Sequence, residues 1–376
     1  MSLNISNVYN KPYVFAGNNY KNNNLKTVSF GGQELITPEV QEKRPQIAAE
    51  IKKANKIAIV THTNPDEDAV GSSAALKNLI ATKYSDKKVD ALLLKDIPEN
   101  YKCIKDADSF ELITPSNWKE IKNRKYDLVI SVDCSTKDKM GKCSKLFDNT
   151  DTKKIKIDHH PTGKDFADIN LTCPDAASTS QIVLMLADFM EVKLNKNLAS
   201  DVYLGIIGDT QGFRYNMTKP SDVFEDSSKL TKAGLEKEDI RKISCSVLDY
   251  MPKAALGFYT DTIKKINFSK DDQIAYLVED QTQTSETQKS ENTKTRAVLD
   301  KIVYTLMPNI EGVKVAMKLK KSNDNQMICS LIGNGVNVGN IAEKFGGGGH
   351  EGAASFPITN KNPEEIVQMV DKEFHK

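Results

Sequence analysis

Histidine is scarce in this chain, with 5 in 376 residues, and there is one tryptophan. The six cysteines (Cys103, Cys134, Cys143, Cys173, Cys245 and Cys329) form no C-x-x-C pair and no zinc-ribbon spacing. That argues against a thiolate metal site and reads as reduced intracellular thiols. Neither sign of charge is in excess: 52 basic residues against 51 acidic leave a formal +1. Such a balance disfavours a long, non-specific nucleic-acid groove, so no long nucleic acid is expected as a partner. A small anionic substrate held by a few placed charges stays compatible with it. No run approaches the roughly 18 apolar residues of a membrane span. The N-terminus has no charged segment leading into an apolar one. No membrane association is expected, and the default location is cytoplasmic.

What is present has the texture of an ordinary folded protein, with 39% hydrophobic residues. Residues 1–44 are the exception. They are Asn-rich around Asn18–Asn24 and lack apolar periodicity, so they read as a disordered tail. From about Pro45 helix-like and strand-like runs alternate. Helices are expected over 47–55, 69–82, 180–190 and 198–207, with strands over 57–60, 91–94, 127–132 and 155–157. That alternation implies an α/β fold with a mostly parallel sheet and helices on both faces. A boundary near 252 separates a second unit, residues 253–376. It opens with a helical run passing into a strand over 273–278, then a polar stretch over 279–295 that reads as a mobile loop. A helix over 297–306 and strands over 313–319 and 327–331 follow.

Four of the five histidines (His62, His159, His160 and His350) fall in motif-like runs beside carboxylates or glycines. His62, Asp66 and Asp68 occupy one strand-to-helix connection. In an extended segment, residues two apart place both carboxylates on one side, where a cation between them would relieve their repulsion. Alone, an Asp-x-Asp pair is more simply a helix cap. But carboxylates recur where other apolar runs end: Asp133, then Asp158-His159-His160, then Asp209 with Arg214 soon after. An oxygen-rich set with imidazoles and no thiolate suits Mn²⁺, or Mg²⁺, better than zinc. It is too rich for one ion. Two ions about 3.5–4 Å apart, bridged by a carboxylate, are a common means of activating water against a phosphoester. Downstream, Gly346–Gly349 precede His350 without linker composition, which reads as a phosphate cradle with His350 as donor.

This ordered set of motifs resembles the DHH/DHHA1 phosphoesterase family, and within it the nano-RNase type of oligoribonuclease and pAp phosphatase. The resemblance covers the chain from about Pro45 onward. It implies a DHH catalytic domain over 45–252, a smaller α/β DHHA1 substrate-binding domain over 253–376, and an active site in the cleft between them. It further implies that His62, Asp66 and Asp133 hold one Mn²⁺, and that Asp68, Asp133, His159 and Asp209 hold the other. Asp158 would orient His159, and His160 would contact the scissile phosphate. Arg214 and the Gly347-Gly348-Gly349-His350 loop would grip substrate from opposite sides, and Ser178 matches a position near the site. Two residues depart from the pattern. Glu67 fills a slot where relatives often carry a small or apolar residue, and Ile332 falls where many carry a substrate-binding arginine. The expected activity is hydrolysis of short RNA, pAp or pApA by a chain that could pair as a homodimer. A nucleotide-binding module that is catalytically weak, or a single-strand exonuclease of the same superfamily, are the alternatives.

Overall fold

In the computed structural model, residues 37–279, 298–323 and 325–376 are described. The first helix, α1 (Pro38–Lys53), begins with a strong start signal. Thr37 Oγ1 accepts from the Val40 N–H at 3.3 Å, and Pro38 sits at the first helical position. Val40, Ile47 and Ile51 are fully buried. Residues 38–44 are therefore helical and partly in the core, which corrects the expected end of the tail at 44. The Asn-rich segment lies outside the described residues.

Six parallel strands form the first sheet: β1 (Lys56–Val60), β2 (Lys88–Leu93), β3 (Phe110–Leu112), β4 (Leu128–Val132), β5 (Lys153–Asp158) and β6 (Ile169–Thr172). Their order is β3-β2-β1-β4-β5-β6. Successive strands run outward in one direction from β1 and then in the other from β4. The carboxyl ends of β1 and β4 therefore flank a topological switch, where open α/β sheets bind ligands. One face packs Ile57, Ile59, Ile130 and Ile157 against α2 (Glu67–Lys83), α4 (Thr179–Phe189) and α5 (Lys196–Asp209). The other packs Ala58, Val60 and Val129 against short α3 (Trp118–Lys122) and a 3₁₀ segment carrying Met140 and Phe147. Helices α6 (Pro220–Lys232) and α7 (Lys237–Ser244) complete this half.

Helix α8 (Leu256–Ile263) leads into the second sheet, which is mixed. Its strands are β7 (Asn267–Phe268), β8 (Ile274–Glu279), β9 (Val315–Asn323), β10 (Gln326–Gly333), β11 (Gly348–Gly349) and β12 (Ala353–Thr359), in the order β11-β12-β10-β9-β8-β7. Only β8 and β9 pair in parallel. Met317, Leu331 and Phe356 on one face meet α9 (Val338–Lys344) and α10 (Pro363–Phe374). On the other face Ala316 and Ile332 join Val298, Val303 and Met307. Ile332 is 3% exposed, so its side chain is core. An arginine there would bury an unpaired charge, and the reading of Ile332 as a vacated substrate contact does not hold. The polar stretch expected to be mobile falls almost wholly on residues 280–297, outside the described ones. Among the described residues no helix is long and apolar enough to cross a membrane.

Candidate metal and phosphate site

At the switch point the chain leaves β1 through Thr61 and His62 and enters α2 at Asp66. Asp66 is the N-cap: its Oδ1 accepts from Ala69 N at 3.0 Å, while Oδ2 lies 3.6 Å from His62 Nε2. Asp68 lies in the first turn of the helix, not in an extended loop. Asp66 is still extended and folds its carboxylate back over the helix end to Ala69 N, whereas Asp68 projects from within the first turn. The two carboxylates therefore serve different clusters, which corrects the expectation that they aim at one point. Asp68 is fully buried at the N-terminus of α4. It accepts from Thr179 N at 2.6 Å, Ser180 N at 2.9 Å and Ser180 Oγ at 2.6 Å. A Cβ at Gly205 would collide with Ser180 Oγ and Asp68 Oδ1, so the close approach of α5 depends on that glycine.

Asp133 follows β4 with a positive φ of 52°, a conformation costly for a residue with a Cβ. Its N–H donates to Ile157 O at 3.0 Å, and the residue is 2% exposed. Oδ2 stands 3.5 Å from His62 Nε2. Oδ1 stands 3.8 Å from His159 Nε2, 3.6 Å from His160 Nδ1 and 3.4 Å from Thr179 Oγ1. Asp133 thus belongs both to the triad His62/Asp66/Asp133 and to the triad Asp68/Asp133/His159. Asp209, the last residue of α5, adds a carboxylate 3.0 Å from His159 Nε2.

The two adjacent imidazoles are oriented by different partners. His159 Nδ1 faces Ala176 O at 3.3 Å, which turns Nε2 toward the carboxylates. Asp158, expected to orient His159, instead accepts from His160 Nδ1 at 2.8 Å. It is a fully buried positioning group rather than one that meets substrate. His350 comes from the second sheet. Its ring centroid lies 5.3 Å from that of His159 and 5.4 Å from that of His160.

The other expected substrate contacts fare unevenly. Ser178 is fully buried and caps α4, accepting from Gln181 N at 3.2 Å, so it does not line a substrate surface. Its neighbours Thr179 and Ser180 are the residues that reach the site. The polar Ser-Thr-Ser run ahead of an apolar helix was the signal for them, but nothing in a linear pattern chooses among the three. Several donors of the glycine run are already engaged within the second sheet. Gly347 N donates to Ala342 O at 2.9 Å and His350 N to Ala353 O at 2.8 Å, while Gly348 and Gly349 pair with β12. A Cβ at Gly347 would collide with Ser355 O, so close packing on β12 accounts for it. Gly348 faces Thr162 of the first half, and Gly352 faces Tyr215. Arg214 is exposed, its Nε donating to Gln211 O at 2.6 Å.

Electrostatics describe a site that calls for positive charge. Burial and then the Asp133 and Asp209 charges push the Asp68 carboxyl well up, and burial also raises Asp209. Burial works against the charged form of His62, yet Asp66 and Asp133 carry its pKa up to about 11. His159 is raised well above the usual range, chiefly by Asp209 acting against burial. Carboxylates that crowd one another and retain protons in this way are what a divalent ion would relieve, with release of those protons. The donors are all oxygen or imidazole. The nearby Cys134 thiol is pushed up to about 12 by burial and then by the Asp133 charge, and it donates to Thr136 O. The set fits a hard divalent cation. Glu67, beside Tyr101 and Gly208, is pushed up to about 8 by burial and then by Asp66. His350 is held down at about 4 by burial and by the charges of His159 and His160.

Two domain families match this chain: the DHH family N-terminal domain over residues 56–206 and the DHHA1 domain over residues 273–376. The chain thus carries a DHH domain followed by a DHHA1 domain. An uncharacterized protein of Mycoplasma genitalium is 28% identical over 85% of this chain and 92% of its own length. The bifunctional oligoribonuclease and PAP phosphatase NrnA of the same organism is 28% identical over 83% of this chain and 91% of its own. Among solved structures, an exopolyphosphatase-related protein from Bacteroides fragilis superposes with a TM-score of 0.72 at 23% identity. That match covers 89% of this chain and 96% of the other, and it is a likeness of fold.

Proposed function

We propose that this chain is a metal-dependent phosphoesterase that hydrolyses short oligoribonucleotides, with pAp and linear pApA as further substrates. The observation that carries the reading is Asp133, a single buried carboxylate that joins the His62/Asp66/Asp133 triad to the Asp68/Asp133/His159 triad, beside His160 and His350. His62, Asp66 and Asp133 would hold one ion, and Asp68, Asp133, His159 and Asp209 a second. Mn²⁺ is the favoured ion and Mg²⁺ the alternative. Divalent ions bound there supply the Lewis acidity and activated water that phosphoester hydrolysis needs.

The chain's own residues then bind and orient the phosphate. His160 anchors Nδ1 on Asp158 and presents Nε2 to a phosphate oxygen. His350, kept uncharged by its surroundings, is a neutral donor from the opposite side. Arg214, steadied by Gln211 O, leaves its terminal N–H groups for a second phosphate. Gly348 faces Thr162 and Gly352 faces Tyr215, which brings the second sheet near the site and favours short substrates. The relative named as an oligoribonuclease and PAP phosphatase supports the same substrate class.

The test is hydrolysis by purified protein stripped with EDTA and then given Mn²⁺ or Mg²⁺. The substrates are a dinucleotide, pAp, pApA and a twenty-nucleotide strand. Mn²⁺ should restore cleavage of the dinucleotide, with a much lower rate on the long strand. Equal rates on both would favour the exonuclease alternative. Tight nucleotide binding without turnover would leave only a binding module.

A further inference from the structure

Lys156 is a lysine buried to 1% exposure in strand β5, between the buried Ile155 and Ile157. Alternation along the strand places Lys156 and Asp158 on one face. The ammonium lies 3.4 Å from Asp158 Oδ2 and 3.4 Å from Thr172 Oγ1 on β6, and 5.8 Å over the Phe166 ring. Asp158 Oδ2 is itself buried without a hydrogen bond, so the ammonium is what faces it. The other oxygen, Oδ1, takes the His160 Nδ1 bond at 2.8 Å. A row of three side chains thus runs from the interior to His160. His160 in turn stands 3.6 Å from Asp133 Oδ1.

We propose that Lys156 is a positioning residue: by fixing Oδ2 of Asp158 it presents Oδ1 to His160 Nδ1 and holds Nε2 toward the site. A buried ammonium is costly and survives only when well paired. With one oxygen held, the carboxylate cannot rotate about its bond to Cβ, and the imidazole inherits that rigidity. Asp158 stands one step behind His160 and Lys156 two, and loss of such outer partners at a metal site typically costs about 10–100-fold in activity. The inference rests on the reading that His160 meets the scissile phosphate. The orientation of the ring can be measured without any substrate.

The experiment is ¹⁵N-histidine NMR on the full chain, which is tractable with 5 histidines. His160→Asn assigns the signal, and kcat and KM on a dinucleotide with Mn²⁺ are measured alongside. Wild type should show a hydrogen-bonded, downfield Nδ1–H resonance from His160. In Lys156→Met that resonance should be lost, and kcat should fall about 10–100-fold with KM little changed. Lys156→Gln keeps a shorter donor and is the variant to read if the methionine variant does not fold; its resonance should be weakened and kcat lowered less. An unchanged resonance in whichever variant folds would overturn the proposal. Because the resonance needs no turnover, it decides the positioning claim even where the substrate reading fails.

Discussion

At the carboxyl edge of the parallel sheet, Asp68, Asp133, Asp158 and His159 are each no more than 2% exposed, whereas the mixed sheet offers the site one partly buried imidazole, His350. The first region binds its charged groups to one another and to the N-terminus of α4, so no ligand moves without disturbing its neighbours. The second region reaches the site through a short edge strand whose glycines fit closely on β12. Under the proposed function, ion binding would belong to the sheet edge and phosphate recognition to the apposed loop. The contrast also separates what each region loses on mutation.

Asp133→Ala should have the largest effect, abolishing hydrolysis of every substrate, because both triads lose a ligand at once. Retention of more than a few per cent of wild-type activity would break the comparison at its strongest point. His350→Ala should lower kcat/KM by about 10–100-fold, the equivalent of a lost bond to a charged group worth about 1.5–3 kcal/mol. It should leave metal affinity unchanged; a fall in Mn²⁺ affinity would show that the two regions do not divide the labour as argued.

The glycines sharpen the account of the second region. Gly347→Ala forces a Cβ against Ser355 O and Phe356 and should destabilise the protein by about 1–3 kcal/mol in urea unfolding. Gly348→Ala meets only Thr162 atoms, at 3.8 Å and beyond, and should change stability by less than about 0.5 kcal/mol. Equal effects would contradict the packing role.

A buried carboxyl elsewhere in the first region offers a milder contrast. Asp201, fully buried on α5, has one oxygen 3.3 Å from Asn78 Nδ2 and the other without a hydrogen bond. Burial and then the Asp106 charge push its pKa well up. The folded protein retains a proton that the unfolded chain releases above about pH 4. Its contribution is therefore fully present below that pH and is lost as pH rises toward the folded pKa. Asp201→Asn should match wild type in Tm near pH 4 and exceed it progressively toward pH 8. A constant difference across that range would show that the carboxyl is not protonated in the fold.

The strand-end cluster was legible because each apolar run is followed at once by the residue that joins it: Asp133 after β4, and Asp158 and His159 at the end of β5. What was not legible depended on direction in space. Asp66 and Asp68 read alike in sequence, yet a cap and a first-turn residue diverge around the helix axis. The order Asp-His-His cannot show which histidine Asp158 holds; the sheet geometry selects His160. Ser178 and Ser180 are two residues apart, and only the course of α4 makes one a cap and the other a partner of Asp68. Both faces of β10 are core, with Leu331 on one and Ile332 on the other, and a resemblance of motif positions carries no information on burial, so Ile332 was misread. Strand β12 and helix α10 were not anticipated at all, although Asn362 and Glu365 form a capping box before the apolar stripe of α10.

The central claim is that one carboxylate is shared between two ion sites, and metal stoichiometry tests it most directly. Equilibrium dialysis against Mn²⁺ with elemental analysis should find two ions per wild-type chain, and near-complete loss of both in Asp133→Asn under the same conditions. A single ion in the wild type, or two retained after the substitution, would contradict it.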